Sequence, residues 1–124
     1  MPNPRKILLV EDEPELIHIF GAVLKQSGFE VEIVMDGESA LKKVKSFQPD
    51  LVLLDLVIPE IDGYEVLSRI KKDKKTKDIL VYVWSNLAQN GEIKKAEKLG
   101  ADGYLIKTDY VPTKLVERVK EILA

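Results

Sequence analysis

Five residues of this chain have the types that phosphate or metal chemistry needs, and each follows a short apolar run. Glu11 and Asp12 follow Ile7-Leu8-Leu9-Val10, and Asp55 follows Leu51-Val52-Leu53-Leu54. Ser85 follows the run at residues 79–84, and Lys107 follows Tyr104-Leu105-Ile106. Three carboxylates brought close together repel and must be neutralised or protonated. A hard divalent cation such as Mg2+ is the natural solution, since it takes oxygen ligands and shares one or two carboxylates with phosphate oxygens and water. It also shields the charge of an incoming phosphate. A serine hydroxyl and a lysine ammonium on the far side would supply a donor and a fixed positive charge. Phosphoryl transfer asks mainly for positioning and electrostatic stabilisation. Asp55 is then the nucleophile of choice, standing between the acids and the Ser85/Lys107 pair.

That chemistry depends on elements that carry the five residues to one place. Ile7-Leu8-Leu9-Val10 reads as a buried strand stopped by Glu11-Asp12-Glu13. Pro14 suits a first helical position, with Glu13 or Asp12 as the cap. Leu16, Ile17, Phe20, Val23 and Leu24 continue at helical spacing to a stop at Gly28. A second strand is expected at 31–34, ending at Met35-Asp36, and a second helix at 37–47 with Ala40, Leu41, Val44 and Phe47 on one face. Pro49 and Asp50 end it before the strand that leads to Asp55. A loop with Pro59 and Asp62-Gly63 opens a helix at about 64–71. The strand at 79–84, a helix at about 91–99 closed by Gly100, the strand Tyr104-Leu105-Ile106, and a helix opened by Pro112 and running to about Leu123 complete the pattern. Strands apolar throughout must be covered on both faces. Five βα units in this length therefore make one doubly wound α/β domain with a parallel sheet, spanning 1–124. Ligands of such sheets bind beyond the carboxyl ends of the strands, near the switch in strand order. If the order is 2-1-3-4-5, Glu11, Asp12 and Asp55 converge on one small volume.

Composition narrows the function classes. The chain has 124 residues, 45% apolar and 32% charged, with a net charge of −2 and no cysteine. This is a globular composition with no excess of positive charge for a nucleic-acid backbone. Disulfides, thiolate metal sites and a cysteine nucleophile are excluded. No apolar run approaches the ~18–20 residues of a membrane span. Met1-Pro2-Asn3-Pro4-Arg5-Lys6 leads straight into the first strand, without the apolar stretch of a signal peptide. The expected location is the cytoplasm.

Three stretches, in this order and on these strand ends, resemble the receiver domains of two-component response regulators: Leu8-Leu9-Val10-Glu11-Asp12-Glu13, Asp55-Leu56-Val57-Ile58-Pro59-Glu60-Ile61-Asp62-Gly63, and Gly100-Ala101-Asp102-Gly103-Tyr104-Leu105-Ile106-Lys107. The likeness covers essentially the whole chain. It implies a flavodoxin-like fold with five helices and strand order 2-1-3-4-5. It implies that Asp55 accepts phosphate from a phosphohistidine on a sensor histidine kinase or phosphotransfer protein. By the same resemblance Asp12 and Asp55 bind Mg2+ directly, Glu11 acts through a water, and the Val57 carbonyl completes the protein ligands. Lys107 pairs with the phosphate, Ser85 turns inward to hydrogen-bond it, and Tyr104 follows by changing rotamer. The surface of helix 4, strand 5 and helix 5 then moves to meet a downstream protein or a fused output domain. The resemblance makes this a signalling domain rather than an enzyme, catalysing only its own phosphorylation and dephosphorylation. It would have no direct contact with nucleic acid or membrane, and would be a monomer or a phosphorylation-dependent dimer. No output domain follows Ala124, so either a stand-alone regulator or a receiver cut from a longer chain is expected.

The chain departs from the family's usual pattern at two positions. Thr108 follows Lys107 where proline in a cis peptide is common. A cis bond before a non-proline residue costs about 2.5–4 kcal/mol, so a trans bond and a different path into helix 5 are expected. Asn86 stands where a small residue is commoner, to narrow the phosphate entrance or to bond the ligand. Val57 and Leu87, two residues past Asp55 and Ser85, are apolar at positions where polar side chains help to place a hydrolytic water. Slow self-dephosphorylation is the expectation.

Each feature alone has a blander explanation. Glu11-Asp12-Glu13 is also an acid-rich helix start, and Asp55, Ser85 and Lys107 are also unremarkable strand ends. His18, the one histidine, is read as solvent-facing. Lys71-Lys72-Asp73-Lys74-Lys75-Thr76-Lys77 is read as a solvated helix end and loop at the opposite sheet edge, and Asp62-Gly63 as turn chemistry. Trp84 and Tyr82 suit a strand packed on both faces and imply no cofactor. Three competing functions differ in what they need. A Mg2+-dependent aspartyl phosphatase or mutase usually carries a second acid two residues past the nucleophile, where Val57 stands, and a cap for which there is no spare length. A flavin-binding module needs a hydroxyl- and glycine-rich phosphate loop after strand 1, where Glu11-Asp12-Glu13 stands. A receiver-like adaptor working without phosphorylation would not need the site residues that are retained, while Asn86 and Thr108 keep that alternative open.

Overall fold

The apolar runs form the strands β1 (Lys6–Val10), β2 (Glu30–Val34), β3 (Leu51–Leu54), β4 (Leu80–Ser85) and β5 (Gly103–Ile106) in a computed structural model that describes residues 3–87 and 89–124. All neighbours are parallel, in the order β2-β1-β3-β4-β5. Met1 and Pro2, the start of the segment read for a leader, lie outside the described residues. Helix α1 covers residues 14–26, followed by α2 (Gly37–Phe47), α3 (Gly63–Lys72), α4 (Asn90–Lys98) and α5 (Pro112–Ile122). A 3-10 turn, Lys107–Asp109, links β5 to α5.

Alternation along each strand divides the core in two. Ile7, Leu9, Leu51, Leu53, Trp84 and Leu105 point to the side closed by Phe20 and Leu24 of α1 and by Leu115, Val116 and Val119 of α5. Leu8, Val10, Val52, Leu54, Val81 and Val83 point to the other, closed by α2, α3 and α4 through Ala40, Val44, Val66, Leu67, Ile70 and Ala96. Both layers are needed because β1 and β3 are buried along nearly their whole length, and a parallel sheet exposes neither face to water. Tyr82 joins Trp84 on the α1/α5 side, two residues apart on one face.

Several local readings change. Glu13 occupies the N-cap of α1 with Pro14 as the first helical residue, but neither Glu13 nor Asp12 caps by its side chain. The Glu11 carboxylate accepts from the Asp12 and Glu13 N–H groups instead, at 3.2 and 3.3 Å. Within α1, Ile17–Gly21 is a π-helical turn, which apolar spacing cannot reveal. Asp36 and Asp62, read as a bland strand end and as turn chemistry, are the N-caps of α2 and α3, accepting from Ser39 and Glu65 N–H at 2.7 and 3.0 Å. Gln48 ends α2 in the left-handed conformation, one residue before Pro49. In the basic run Lys71 is not solvated. Its ammonium donates to the Ile79 carbonyl and to Asp102 at 2.7 Å each. Thr76 is buried, its hydroxyl donating to the Ile70 carbonyl at 2.7 Å. His18 is exposed, as read. No helix among the described residues is long and apolar enough to cross a membrane.

Candidate functional site

The ladder register carries the acids together. Val10 pairs with Val34 and with Leu54, and Leu54 pairs with Val83, so the strands end nearly level. One residue further, the Glu11 N–H donates to the Val34 carbonyl at 3.0 Å and the Asp55 N–H to the Val10 carbonyl at 3.1 Å. The backbone is thereby held as far as Glu11 and Asp55. Glu11, Asp12 and Asp55 each bring a carboxylate oxygen within 4.8 Å of the others. Lys107 arrives from β5 at the sheet edge, with its ammonium 2.6 Å from Glu11 Oε1 and 2.9 Å from Asp55 Oδ2. The other Asp55 oxygen accepts from the Val57 N–H at 3.0 Å. An open cavity of about 380 Å3 lies above them, lined by Asp12, Asp55, Val57, Ser85, Asn86 and Lys107, with Glu13 and Leu87 at its sides.

Three carboxylates face one ammonium, so with every group ionised two negative charges are left over. Burial pushes the Glu11 carboxyl above its ordinary value, against the opposing pull of Lys107. Burial also works against the Lys107 ammonium, but the Glu11 and Asp55 carboxylates outweigh it and hold its pKa above the ordinary lysine value. Glu11 Oε1 is fully buried and, though in charge contact with Lys107, has no aligned hydrogen bond. An all-oxygen acid cluster with that excess charge fits a hard divalent cation.

Ser85 is buried at the end of β4, its hydroxyl accepting from the Leu87 N–H at 3.1 Å. The Tyr104 hydroxyl donates to the Leu87 carbonyl at 2.6 Å, and burial raises its pKa. Ser85 and Tyr104 are thus tied to the two ends of one residue, a link that no motif carried. The Lys107–Thr108 peptide is trans, as expected. Asn86 and Thr108, read separately, meet: the Thr108 N–H donates to Asn86 Oδ1 at 3.1 Å. All five residues singled out from the sequence border this site, with Val57 beside them. Tyr104 lies behind Leu87, outside the residues that line the cavity. Val57, Asn86 and Leu87 line the wall where the resemblance sets them, and Glu13, read from the sequence as a helix cap, is the wall residue that neither residue type nor resemblance selects.

Residues 7–120 match the response regulator receiver domain, and the chain belongs to that family. It is 37% identical over 121 residues to the alkaline phosphatase synthesis transcriptional regulatory protein PhoP of Bacillus subtilis, covering 96% of this chain and 48% of that protein. The chain spans about half the length of the curated relatives it matches. Among solved structures it resembles the receiver domain of the sensor histidine kinase PA1611 of Pseudomonas aeruginosa, which holds a magnesium ion in its active-site cleft. The TM-score is 0.85 at 25% identity, over 95% of this chain and 96% of that one. The BeF3-activated N-terminal receiver domain of Klebsiella pneumoniae RstA gives a TM-score of 0.83 at 27% identity, over 94% and 96%. This is a receiver domain of two-component signalling with the flavodoxin-like fold.

Proposed function

We propose that Asp55 is the phosphoacceptor, taking a phosphoryl group from a phosphohistidine of a sensor histidine kinase or phosphotransfer protein. The observation that carries the reading is the buried Asp55 carboxylate, contacted by Lys107 and flanked by Glu11 and Asp12 at the floor of an open cavity. A carboxylate oxygen of Asp55 attacks phosphorus. The P–N bond breaks, its electron pair stays on the imidazole nitrogen, and an acyl phosphate remains on Asp55. Lys107 moves its charge contact to the phosphoryl oxygens, and Ser85 donates to them once its hydroxyl leaves the Leu87 N–H. Glu11, Asp12 and Asp55, with the Val57 carbonyl, would hold Mg2+, which supplies charge neutralisation to the transferring group. A magnesium ion in the cleft of the PA1611 receiver supports that assignment. Tyr104 and Ser85 share Leu87, so a Ser85 movement is felt by the loop into α4 and by β5. This is the route by which phosphorylation reaches the face of α4, β5 and α5, and through it a downstream protein or an output domain. The domain catalyses only its own phosphorylation and dephosphorylation, in the cytoplasm where the kinase presents its phosphohistidine, as a monomer or a phosphorylation-dependent dimer.

Intact-protein mass after incubation with acetyl phosphate and Mg2+ tests this. One phosphoryl group is expected, absent with EDTA and absent in Asp55→Ala. An unmodified protein that still binds Mg2+ would sink the phosphoacceptor reading. A second expectation concerns lifetime. Val57 is 65% exposed and Leu87 38% exposed, both apolar on the cavity wall, so neither orders a hydrolytic water. Val57→Asn combined with Leu87→Glu is expected to speed loss of the phosphoryl group about tenfold or more, within the range of one positioned polar group. An unchanged decay rate would remove the idea.

A further inference from the structure

The last rung of the β4–β5 ladder pairs Ser85 with Ile106. Beyond it the two chains are joined once more, by the Thr108 N–H donating to Asn86 Oδ1 at 3.1 Å. A backbone N–H can only donate, so this bond orients the Asn86 amide with its oxygen toward Thr108. β5 is an edge strand, with β4 as its one neighbour in the sheet. Lys107 lies between the final rung and the Asn86–Thr108 bond, in a 3-10 turn closed by the Tyr110 N–H on the Lys107 carbonyl at 3.2 Å. From that edge its side chain reaches past β4 to Asp55 at the end of β3 and to Glu11 at the end of β1. Neighbouring strands are about 4.8 Å apart, so Lys107 is a long lever whose tip position depends on how firmly its backbone is held.

We infer that Asn86 is a positioning residue: by holding the chain at Thr108 it keeps the Lys107 ammonium on Asp55 and Glu11. The kinetic consequence rests on Asp55 being the phosphoacceptor, while the structural one does not. A small side chain at position 86 offers no acceptor, and a proline at position 108 has no N–H to give. The two departures from the family pattern therefore work as a pair. Asn86 also lines the cavity mouth, so it has a rival role as mere bulk.

Asn86→Leu separates the two roles, because leucine keeps the size and removes the acceptor. Asn86→Leu and Asn86→Ala are both expected to free the Thr108 amide to hydrogen exchange. Both should slow phosphorylation by acetyl phosphate about three- to tenfold, the worth of one hydrogen bond. The thermal midpoint in saturating Mg2+, where the metal neutralises the acids, should stay as in the wild type, a split that general loosening of the fold would not give. Thr108→Ala, which retains the N–H, should match the wild type throughout. A wild-type rate in Asn86→Leu, or a Thr108→Ala variant as slow as Asn86→Leu, overturns the inference. If the wild type takes up no phosphoryl group, the reading of Asp55 fails by itself. Unchanged Thr108 exchange and an unchanged Lys107 ammonium signal in Asn86→Leu would then overturn the positioning role.

Discussion

Lys107→Met is expected to lower the stability of the magnesium-free protein by about 3–5 kcal/mol, the cost of leaving buried charges without their partner. Among the described residues Lys107 is the one cation in contact with Glu11 and Asp55, both buried, and removing it leaves three clustered carboxylates to face one another. The effect has a defined pH dependence. The Glu11 pKa is held above its ordinary 4.5 by burial, so the native state binds its proton more readily than the unfolded chain does. Stability therefore falls as pH rises from about 4.5 through the raised native value. Without Lys107 the opposing pull is gone, the native value rises further, and the fall extends over a wider range. In the wild type the lysine is also raised, so its contribution is complete below 10.5 and is lost only as pH rises through its higher native value. Urea unfolding in EDTA should show the gap between wild type and variant widening from pH 5 to pH 8. Mg2+ should narrow it by taking over neutralisation of the acids. Phosphorylation should fall about 100- to 1000-fold, as when a preorganised electrostatic group is removed from a transferring centre. Equal stability of the two proteins at pH 8 in EDTA would refute the account of the charge cluster.

Gly63→Ala should produce the second large effect. A Cβ at Gly63 would lie 2.4 Å from Leu56 Cα and 2.5 Å from the Asp55 carbonyl oxygen. Both are backbone atoms, so no side-chain rotation relieves the clash. Either α3 or the turn after Asp55 must move, at a cost of about 3 kcal/mol, the upper end for overpacking. The Gly63 N–H donates to the Leu56 carbonyl at 3.0 Å, and that bond fixes the turn against the start of α3. A shift of about 1 Å there displaces Asp55 and is expected to slow phosphorylation roughly 100-fold. Gly91→Ala is the control. Nothing lies within 4 Å of its added Cβ, and as a helical position in α4 it should gain about 0.5–1 kcal/mol. Thermal unfolding beside acetyl phosphate kinetics checks both variants, and a Gly63→Ala protein with wild-type midpoint and rate would show that the close approach does not constrain the site.

The same glycine marks the boundary between what the sequence alone determines and what needs the fold. Apolar runs bounded by Gly28, Pro49, Gly100 and Pro112 determine five strands and the helices between them, because burial on two faces and helix termination act over a few residues. The types of Glu11, Asp12, Asp55, Ser85 and Lys107 at successive strand ends determine the class of chemistry, since strand ends in such a sheet share one edge. Only the tertiary structure decides that Lys107, at the edge strand, reaches past β4 to neutralise both Glu11 and Asp55. It also decides that Gly63 is held by close approach to the Asp55–Leu56 backbone rather than by turn conformation alone. The ties of Ser85 and Tyr104 to opposite ends of Leu87, and of Asn86 to Thr108, belong to the same class. These contacts join residues brought together by packing, with angles and distances set to fractions of an ångström. Residue type and local periodicity carry information about which face or end a side chain occupies, and none about which distant group it meets there.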